Sequence, residues 1–260
     1  LGWGVEGVAL ATFVAEWGGL ALGLWLCRDA FAVPAWRDWP RVFDAPALKR
    51  MAQVHVDIFL RSLMLQAIFV SFLILGADFG DVTLAANQVL LQFLQITSYA
   101  LDGFAFAAEV LVGYAMGRHA PGQLRRAALV SSQWGLISVI ALALGFATLG
   151  PWIIDTMAKV PAVQAAARSY LPWLVAAPIL GLGSYMLDGV FIGATRTRDM
   201  RNMMALSLAT YAAAVALLVP AFGNHGLWLA LLISFVARAA TLAARYPALE
   251  RAVRRLSQNA

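Results

Sequence analysis

Residues 126–155 read RAALVSSQWGLISVIALALGFATLGPWIID, with no charged side chain between Arg126 and Asp155. An α-helix needs about 20 mostly apolar residues to cross the hydrocarbon core of a bilayer, so this stretch is long enough to do so. Cutting the chain at its clusters of charge, glycine and proline gives seven such segments. They lie at approximately residues 2–27, 52–76, 82–117, 123–149, 163–195, 200–221 and 226–246. The sequence therefore predicts an all-α polytopic membrane protein with seven transmembrane helices.

The overall composition supports a membrane protein and argues against several other classes. Hydrophobic residues make up 62% of the 260 positions and charged residues 13%, whereas soluble domains carry about one-quarter charge. The formal net charge is +5, but the basic residues form short clusters between apolar segments, so we expect no nucleic-acid partner. Cys27 is the single cysteine, and no group of Cys and His has metal-ligand spacing. We therefore expect no internal disulfide and no cofactor.

The distribution of basic residues predicts the orientation of the chain. Four alternate connections, at residues 28–50, 118–126, 196–201 and 238–255, hold 16 of the 19 lysines and arginines. The connections between them carry acids or almost no charge. Because cytoplasmic loops are enriched in Lys and Arg, we expect a multi-pass protein of the inner (plasma) membrane, in contact with membrane lipid. Its C-terminus should be cytoplasmic and residue 1 outside.

Ionisable side chains at membrane depth are candidate functional groups, because burying a charge in hydrocarbon is costly. Six lie inside the predicted spans: Glu16, Asp57, Arg61, Asp102, Glu109 and Asp188. In the third span, steps of four and three residues place one mostly polar stripe on a single helix face. The stripe consists of Gln88, Gln92, Gln95, Tyr99, Asp102, Phe106 and Glu109. Such a stripe must face other helices or a wet cavity, and hydrogen bonding between helices is the alternative to a transport role.

Two further patterns concern the second and fifth spans. Asp57 and Arg61 are four residues apart, a spacing that allows an ion pair on one helix face. This pair is as compatible with static packing as with transport. In the fifth span Pro172 and Pro178 precede Asp188, which predicts a bent or interrupted helix before an acid. Interrupted helices often carry transporter sites, although a purely structural kink is equally compatible with the pattern.

Four stretches resemble a known transporter family. They are GVALAT at 7–12, DIFLRSL at 57–63, YALDGFA at 99–105 and, most specifically, LDGVFIGATR at 187–196. With these stretches the chain resembles the DinF-type (DNA-damage-inducible) branch of the multidrug and toxic compound extrusion (MATE) family. The resemblance covers essentially the whole chain.

The resemblance implies a domain organisation. Such transporters have twelve helices in two six-helix lobes, so residues 1–27 correspond to the last helix of the N-lobe and residues 28–50 to a cytoplasmic linker between lobes. Residues 51–247 then form the six-helix C-lobe, and residues 248–260 a basic cytoplasmic tail. Since the chain begins at Leu1 inside an apolar stretch, we expect a C-terminal fragment whose partner is the missing N-terminal lobe.

The resemblance also implies where a site would lie. The second, third and fifth spans would line a central cavity, and Asp188 matches an acid that is used for proton or cation coupling, including sodium, in some relatives. In this branch the main proton-coupling acid belongs to the N-lobe. The candidate cavity residues are Asp188, Tyr185, Asp57, Arg61, Asp102, Glu109, Tyr99, Gln92 and Gln95.

The predicted function is a secondary antiporter that exports small organic, often cationic, compounds in exchange for protons or sodium. A flippase for a lipid-linked precursor, from the same superfamily, is the alternative; it would need a larger and more basic cavity. A retinal protein or other seven-helix receptor is a weaker alternative, since Lys49 and Lys159 both lie at connections. An intramembrane enzyme is weaker still. His55, His119 and His225 lie at or near span ends, which argues against a histidine-dependent enzyme, and no Gly-x-Gly-Asp motif accompanies Asp102 or Asp188 as an aspartyl pair would require.

Overall fold

The computed structural model describes residues 4–32 and 37–258, and within those ranges the chain is helical without any strand. The helices are α1 (Gly4–Leu26), α2 (Arg28–Phe31), α3 (Trp39–Val42), α4 (Ala45–Ala77), α5 (Asp81–Gly117), α6 (Pro121–Met157), α7 (Pro161–Gly193), α8 (Thr197–Phe222) and α9 (Asn224–Gln258). Pro34 and Trp36 of the predicted linker lie outside the described residues.

Seven helices in the described ranges are long and apolar enough to cross a membrane, as the sequence predicts. They are α1 and the six helices from α4 to α9. The chain divides into two compact units, residues 1–53 and 54–260. The first contains α1 to α3 and the start of α4, and no residue of α1 is buried. The assignment of these parts to lobes and linker stays a prediction.

Four predicted helix features differ from the structure. α4 begins at Ala45, seven residues before the predicted start of the second span at residue 52 and inside the stretch predicted as linker. α6 continues through Pro151 to Met157, beyond the predicted end at residue 149, and Ile154 in the added turn is completely buried. α7 runs without a break through Pro172 and Pro178, so an interruption there is wrong, whereas a bend at these prolines stays a prediction. A proline removes one hydrogen bond, and packing of the flanking turns against neighbouring helices is enough to keep a membrane helix intact.

The fourth difference is the C-terminal end of the last span. α9 continues to Gln258, past the predicted end of the span at residue 246. Leu249 and Val253 are four residues apart, and both are buried in a cluster with Val112 of α5 and Leu124 of α6. The basic tail therefore carries one apolar helical face, which its high charge concealed in the sequence.

α7 is the central helix of the second unit and packs against α5, α6 and α9. α8 packs against α9. Aromatic contacts fill the space between helices. The ring centroids of Phe72 and Trp228 lie 5.0 Å apart in an edge-to-face arrangement, and those of Phe93 and Phe146 lie 5.4 Å apart. Trp228 also donates a 2.9 Å hydrogen bond to the side-chain oxygen of buried Asn87.

The closest approach of α5 and α7 depends on two glycines one turn apart. A Cβ atom on Gly189 would lie 2.3 Å from the backbone oxygen of Ala105, and one on Gly193 would lie 2.2 Å from that of Glu109. Only glycine fits at either position. This is the small-residue spacing that lets transmembrane helices pack backbone to backbone. The contact places Asp188 of α7 against the polar stripe of α5.

Candidate functional site

A cavity of about 520 Å³ lies among α4, α5, α7 and α9, within the second unit. Its ionisable lining residues are Arg61, Asp102, Glu109, Tyr185, Asp188 and Arg238, and its uncharged polar lining residues are Gln66, Gln95 and Ser98. Leucines and the rings of Phe69 and Phe106 supply the apolar part of the wall. The cavity thus combines three carboxylates and two guanidinium groups with an apolar surface.

Asp188 of α7 forms ion pairs with side chains of two other helices. Its side chain is 9% exposed, and its Oδ2 atom accepts a hydrogen bond from Nη2 of Arg61 on α4. The Nη1 atom of Arg238 on α9 lies 3.8 Å from the same oxygen. Two arginines therefore share one buried carboxylate, whose negative charge offsets part of the cost of burying them.

Arg238 is a functional candidate that the sequence analysis placed in the cytoplasmic cluster at 238–255, and that placement is wrong. Its side chain is 3% exposed, and Nη2 donates a 2.7 Å hydrogen bond to the hydroxyl of Ser184. The guanidinium carbon lies 5.7 Å from the ring centroid of Tyr185 and 5.9 Å from that of Phe235, within cation–π range. The sequence does contain one sign that Arg238 is buried: it lies inside the predicted span 226–246.

The two arginines are not fully satisfied by these contacts. The Nε atoms of Arg61 and Arg238 are both buried and have no hydrogen-bond partner among the described residues. A buried donor without an acceptor costs about 1–3 kcal/mol. The network around Asp188 therefore leaves two buried guanidinium donors unsatisfied among the described residues.

The predicted ion pair between Asp57 and Arg61 is wrong. Asp57 accepts hydrogen bonds from Nη1 of Arg201 at 2.6 Å and from the hydroxyl of Thr197 at 3.2 Å, both on α8. Arg61 instead turns to Asp188 on α7. A spacing of four residues allows a pair, but partners on neighbouring helices compete for each side chain. Asp57 consequently does not belong to the cavity lining.

The structure divides the polar stripe of α5. Gln95, Asp102, Phe106 and Glu109 line the cavity, whereas Tyr99 is 69% exposed and is not part of the lining. The amino-terminal part, Gln88 and Gln92, instead lines a separate surface hollow near Lys159. Ser98 was missed by the sequence analysis, and its hydroxyl lies 2.5 Å from that of Tyr185.

The acids of α5 differ from Asp188 in their contacts. In the part of the chain that the structure describes, neither Asp102 nor Glu109 has a salt-bridge partner within 4.0 Å. Across the described ranges no group of three or more His, Cys, Asp or Glu side chains could hold a metal ion. The sodium site at Asp188 stays a prediction, and the two guanidinium groups around its carboxylate oppose a cation there in this arrangement. The unpaired carboxylates of the cavity are Asp102 and Glu109.

Membrane-length helices around a cavity lined by ionisable groups are typical of one class of protein, the polytopic transporters, in which such groups line substrate and ion pathways. The family model MatE matches residues 58–218, which include all cavity-lining residues except Arg238 of α9. This chain belongs to the multidrug and toxic compound extrusion family. The family prediction made from the sequence is confirmed.

Curated relatives show the same affiliation. The DNA damage-inducible protein F of Escherichia coli (strain K12) is 37% identical over 249 residues, covering 92% of this chain and 52% of that protein. A probable multidrug resistance protein NorM of Bradyrhizobium diazoefficiens is 33% identical over 141 residues, covering 52% of this chain and 28% of that protein. The chain spans about half the length of the Escherichia coli relative.

Solved structures have the same fold. The Vibrio cholerae MATE transporter VcmN in its bent form matches with a TM-score of 0.80 at 18% identity, covering 96% of this chain and 57% of that chain. A MOP superfamily transporter from Pyrococcus furiosus matches with a TM-score of 0.69 at 15% identity, covering 76% of this chain and 44% of that chain. At these identities the likeness confirms the fold and carries no residue-level role.

Proposed function

We propose that this chain is the C-terminal half of a secondary antiporter of the inner membrane, with its C-terminus in the cytoplasm. The whole protein would export organic, often cationic, compounds in exchange for protons or sodium. Relatives named for multidrug resistance support the substrate class, and the coverage of 52% of the Escherichia coli relative supports an N-terminal lobe as partner. The basic clusters of the sequence support the orientation.

The observation that carries this proposal is the unequal pairing of charges in the cavity. Asp188 is already compensated by Arg61 and Arg238, whereas Asp102 and Glu109 line the same cavity without an ion pair. Two unpaired carboxylates next to aromatic and aliphatic side chains suit an organic cation with an apolar body. A volume of about 520 Å³ is in the range of small-molecule sites.

The coupling step follows from competition for these carboxylates. A proton bound to Asp102 or Glu109 removes the negative charge that attracts a cationic substrate, and a sodium ion bound there would also neutralise it. Ion entry from outside would therefore favour substrate release. If instead a proton neutralised Asp188, Arg61 and Arg238 would lose their shared anion and would attract the carboxylates of α5. Neutralising Asp102 or Glu109 and neutralising Asp188 would therefore both weaken the binding of a cation to the carboxylates of α5.

A flippase for a lipid-linked precursor is the second candidate, and Arg238 is the observation that favours it. With Arg61 it gives the cavity two buried guanidinium groups, which suit a phosphate group. Against this reading, three carboxylates line the same cavity. Phosphate is repelled by those carboxylates, so we prefer the organic cation.

Dye efflux distinguishes these candidates. The full-length protein, produced in bacteria that lack their own exporters, should lower the retention of a fluorescent organic cation. Asp102→Asn and Glu109→Gln together should abolish most of this export. Asp81→Asn is the matched control, because Asp81 is exposed at the start of α5 and outside the cavity. Wild-type export by the double variant would refute the proposed site, and flipping of a lipid-linked phosphate without dye export would favour the second candidate.

A further inference from the structure

Two surface grooves flank the end of α5 where it turns into α6. One groove, of about 430 Å³, is lined by Leu111, Tyr114, Arg118, Gln123, Arg126, Ala127 and Val130. The other, of about 420 Å³, is lined by Val110, Gly113, Tyr114, Gly117 and Arg118. Tyr114 and Arg118 belong to both and form a ridge between them. The proposed transport mechanism uses neither groove.

The polarity of these grooves changes along the helix axis. On α5, Leu111, Tyr114 and Arg118 follow one another on one face, and Leu111 and Arg118 are separated by about 10 Å of helix rise. On the antiparallel α6, Arg126 lies near the turn and Val130 lies one turn deeper. Cationic side chains therefore lie near the α5–α6 turn and apolar side chains further along each helix, which is the polarity expected across a membrane boundary. Tyr114, 67% exposed, lies where the two regions meet.

The arginines of the first groove are available to a ligand. In the described part of the chain neither Arg118 nor Arg126 has a salt-bridge or hydrogen-bond partner for its side chain. Arg125, between them in sequence, lines neither groove. Its charge lies near enough to Tyr246 of α9 to interact with it. The cationic groove is therefore specific to one face of α6.

We propose that these two grooves form a binding site for one anionic phospholipid. The phosphate lies between the guanidinium groups of Arg118 and Arg126, and the hydroxyl of Tyr114 lies at the level of the glycerol. One acyl chain follows Leu111, Ala127 and Val130, and the other follows Val110 and Gly113 on the opposite side of the ridge. Basic pockets between transmembrane helices are suited to such headgroups.

The apolar part of each groove decides between a lipid and a soluble phosphate. A free phosphate would need only the two arginines and would leave Leu111, Val110 and Val130, which are 40–57% exposed, without a partner. A lipid covers these side chains and the arginines together. It would sit in the leaflet next to the α5–α6 turn, which the basic clusters predict to be the cytoplasmic one.

Lipid binding to the purified full-length protein tests this site. Native mass spectrometry would compare phosphatidylglycerol with phosphatidylcholine of the same acyl chains, added at equal concentration in neutral detergent. Wild-type protein should retain phosphatidylglycerol preferentially. Arg118→Gln with Arg126→Gln should weaken that binding roughly 30-fold, the factor expected from two interfacial cationic charges. Arg125→Gln, which removes a charge from the same turn outside the grooves, should keep wild-type affinity.

Three results would overturn the proposal. The double variant could bind phosphatidylglycerol as tightly as wild type. Arg125→Gln could weaken binding as much as Arg118→Gln or Arg126→Gln does when each is measured alone, which would indicate nonspecific charge attraction. Glycerol phosphate without acyl chains could bind as tightly as the lipid, which would assign the arginines to a soluble phosphate. Since binding is measured without transport, these outcomes are independent of the proposed antiport.

Discussion

The Nη1 atom of Arg238 on α9 lies 3.8 Å from the Oδ2 atom of Asp188 on α7, and both side chains are buried. Arg61 of α4 donates a hydrogen bond to the same oxygen. One carboxylate therefore connects three helices at the cavity wall. Any change in its charge alters the interactions of two guanidinium groups at once.

This arrangement predicts strong coupling between Asp188 and Arg61. Asp188→Asn leaves two buried arginines without an anion, and we expect a loss of about 3–5 kcal/mol, the range found when one partner of a buried ion pair is removed. Arg61→Gln should destabilise less, because Arg238 remains next to the carboxylate. The double variant should lose clearly less than the sum of the two single changes. Thermal unfolding of the purified protein measures all three, and additive effects would contradict the shared ion pair.

The glycine contact between α5 and α7 gives a second prediction. Gly189→Ala places a Cβ atom 2.3 Å from the backbone oxygen of Ala105, so the helices must separate. We expect a loss of about 3 kcal/mol or more, comparable to other severe core defects. Gly103→Ala is the control, because a Cβ atom there meets nothing within 4 Å, and alanine should stabilise that helix by up to about 1 kcal/mol. Equal melting temperatures for both variants would argue against backbone contact at Gly189.

Membrane orientation is tested by cysteine labelling. In a variant with exposed Cys27 replaced by alanine, a cysteine at Asp78 in the turn after α4 should react with an impermeant reagent added outside intact cells. A cysteine at Gly122, at the start of α6, should react only after the membrane is opened. The opposite pattern would reverse the orientation and move the proposed lipid site to the outer leaflet.

Much of the architecture could be predicted from the sequence because membrane helices follow from apolar length alone. The uncharged stretch between Arg126 and Asp155 requires no knowledge of neighbouring helices to be recognised as a span. The stripe that contains Asp102 and Glu109 could likewise be found from helical periodicity, and both acids line the cavity.

The ion-pair partners could not be predicted in the same way, because they depend on which helices become neighbours. Local spacing suggested Arg61 as the partner of Asp57, but Arg201, distant in sequence, takes that place. In the sequence Arg238 resembles the arginines that follow it. Only its burial against Ser184 and Asp188 in the folded chain distinguishes it from them. The predicted end of the last helix was wrong for a related reason. Leu249 and Val253 form an apolar face that is recognisable only once α5 and α6 are known to pack against it.

Ion release on substrate binding tests the central claim most directly. Tetraphenylphosphonium, an organic cation, would be added to the purified full-length protein in weakly buffered solution, while a pH dye or radioactive sodium reports the displaced ion. Wild-type protein and Asp81→Asn should release protons, or bound sodium, as the cation binds. Asp102→Asn with Glu109→Gln should release much less and bind the cation more weakly. Unchanged cation binding by that variant, or wild-type binding without release of either ion, would contradict competition for the carboxylates of α5.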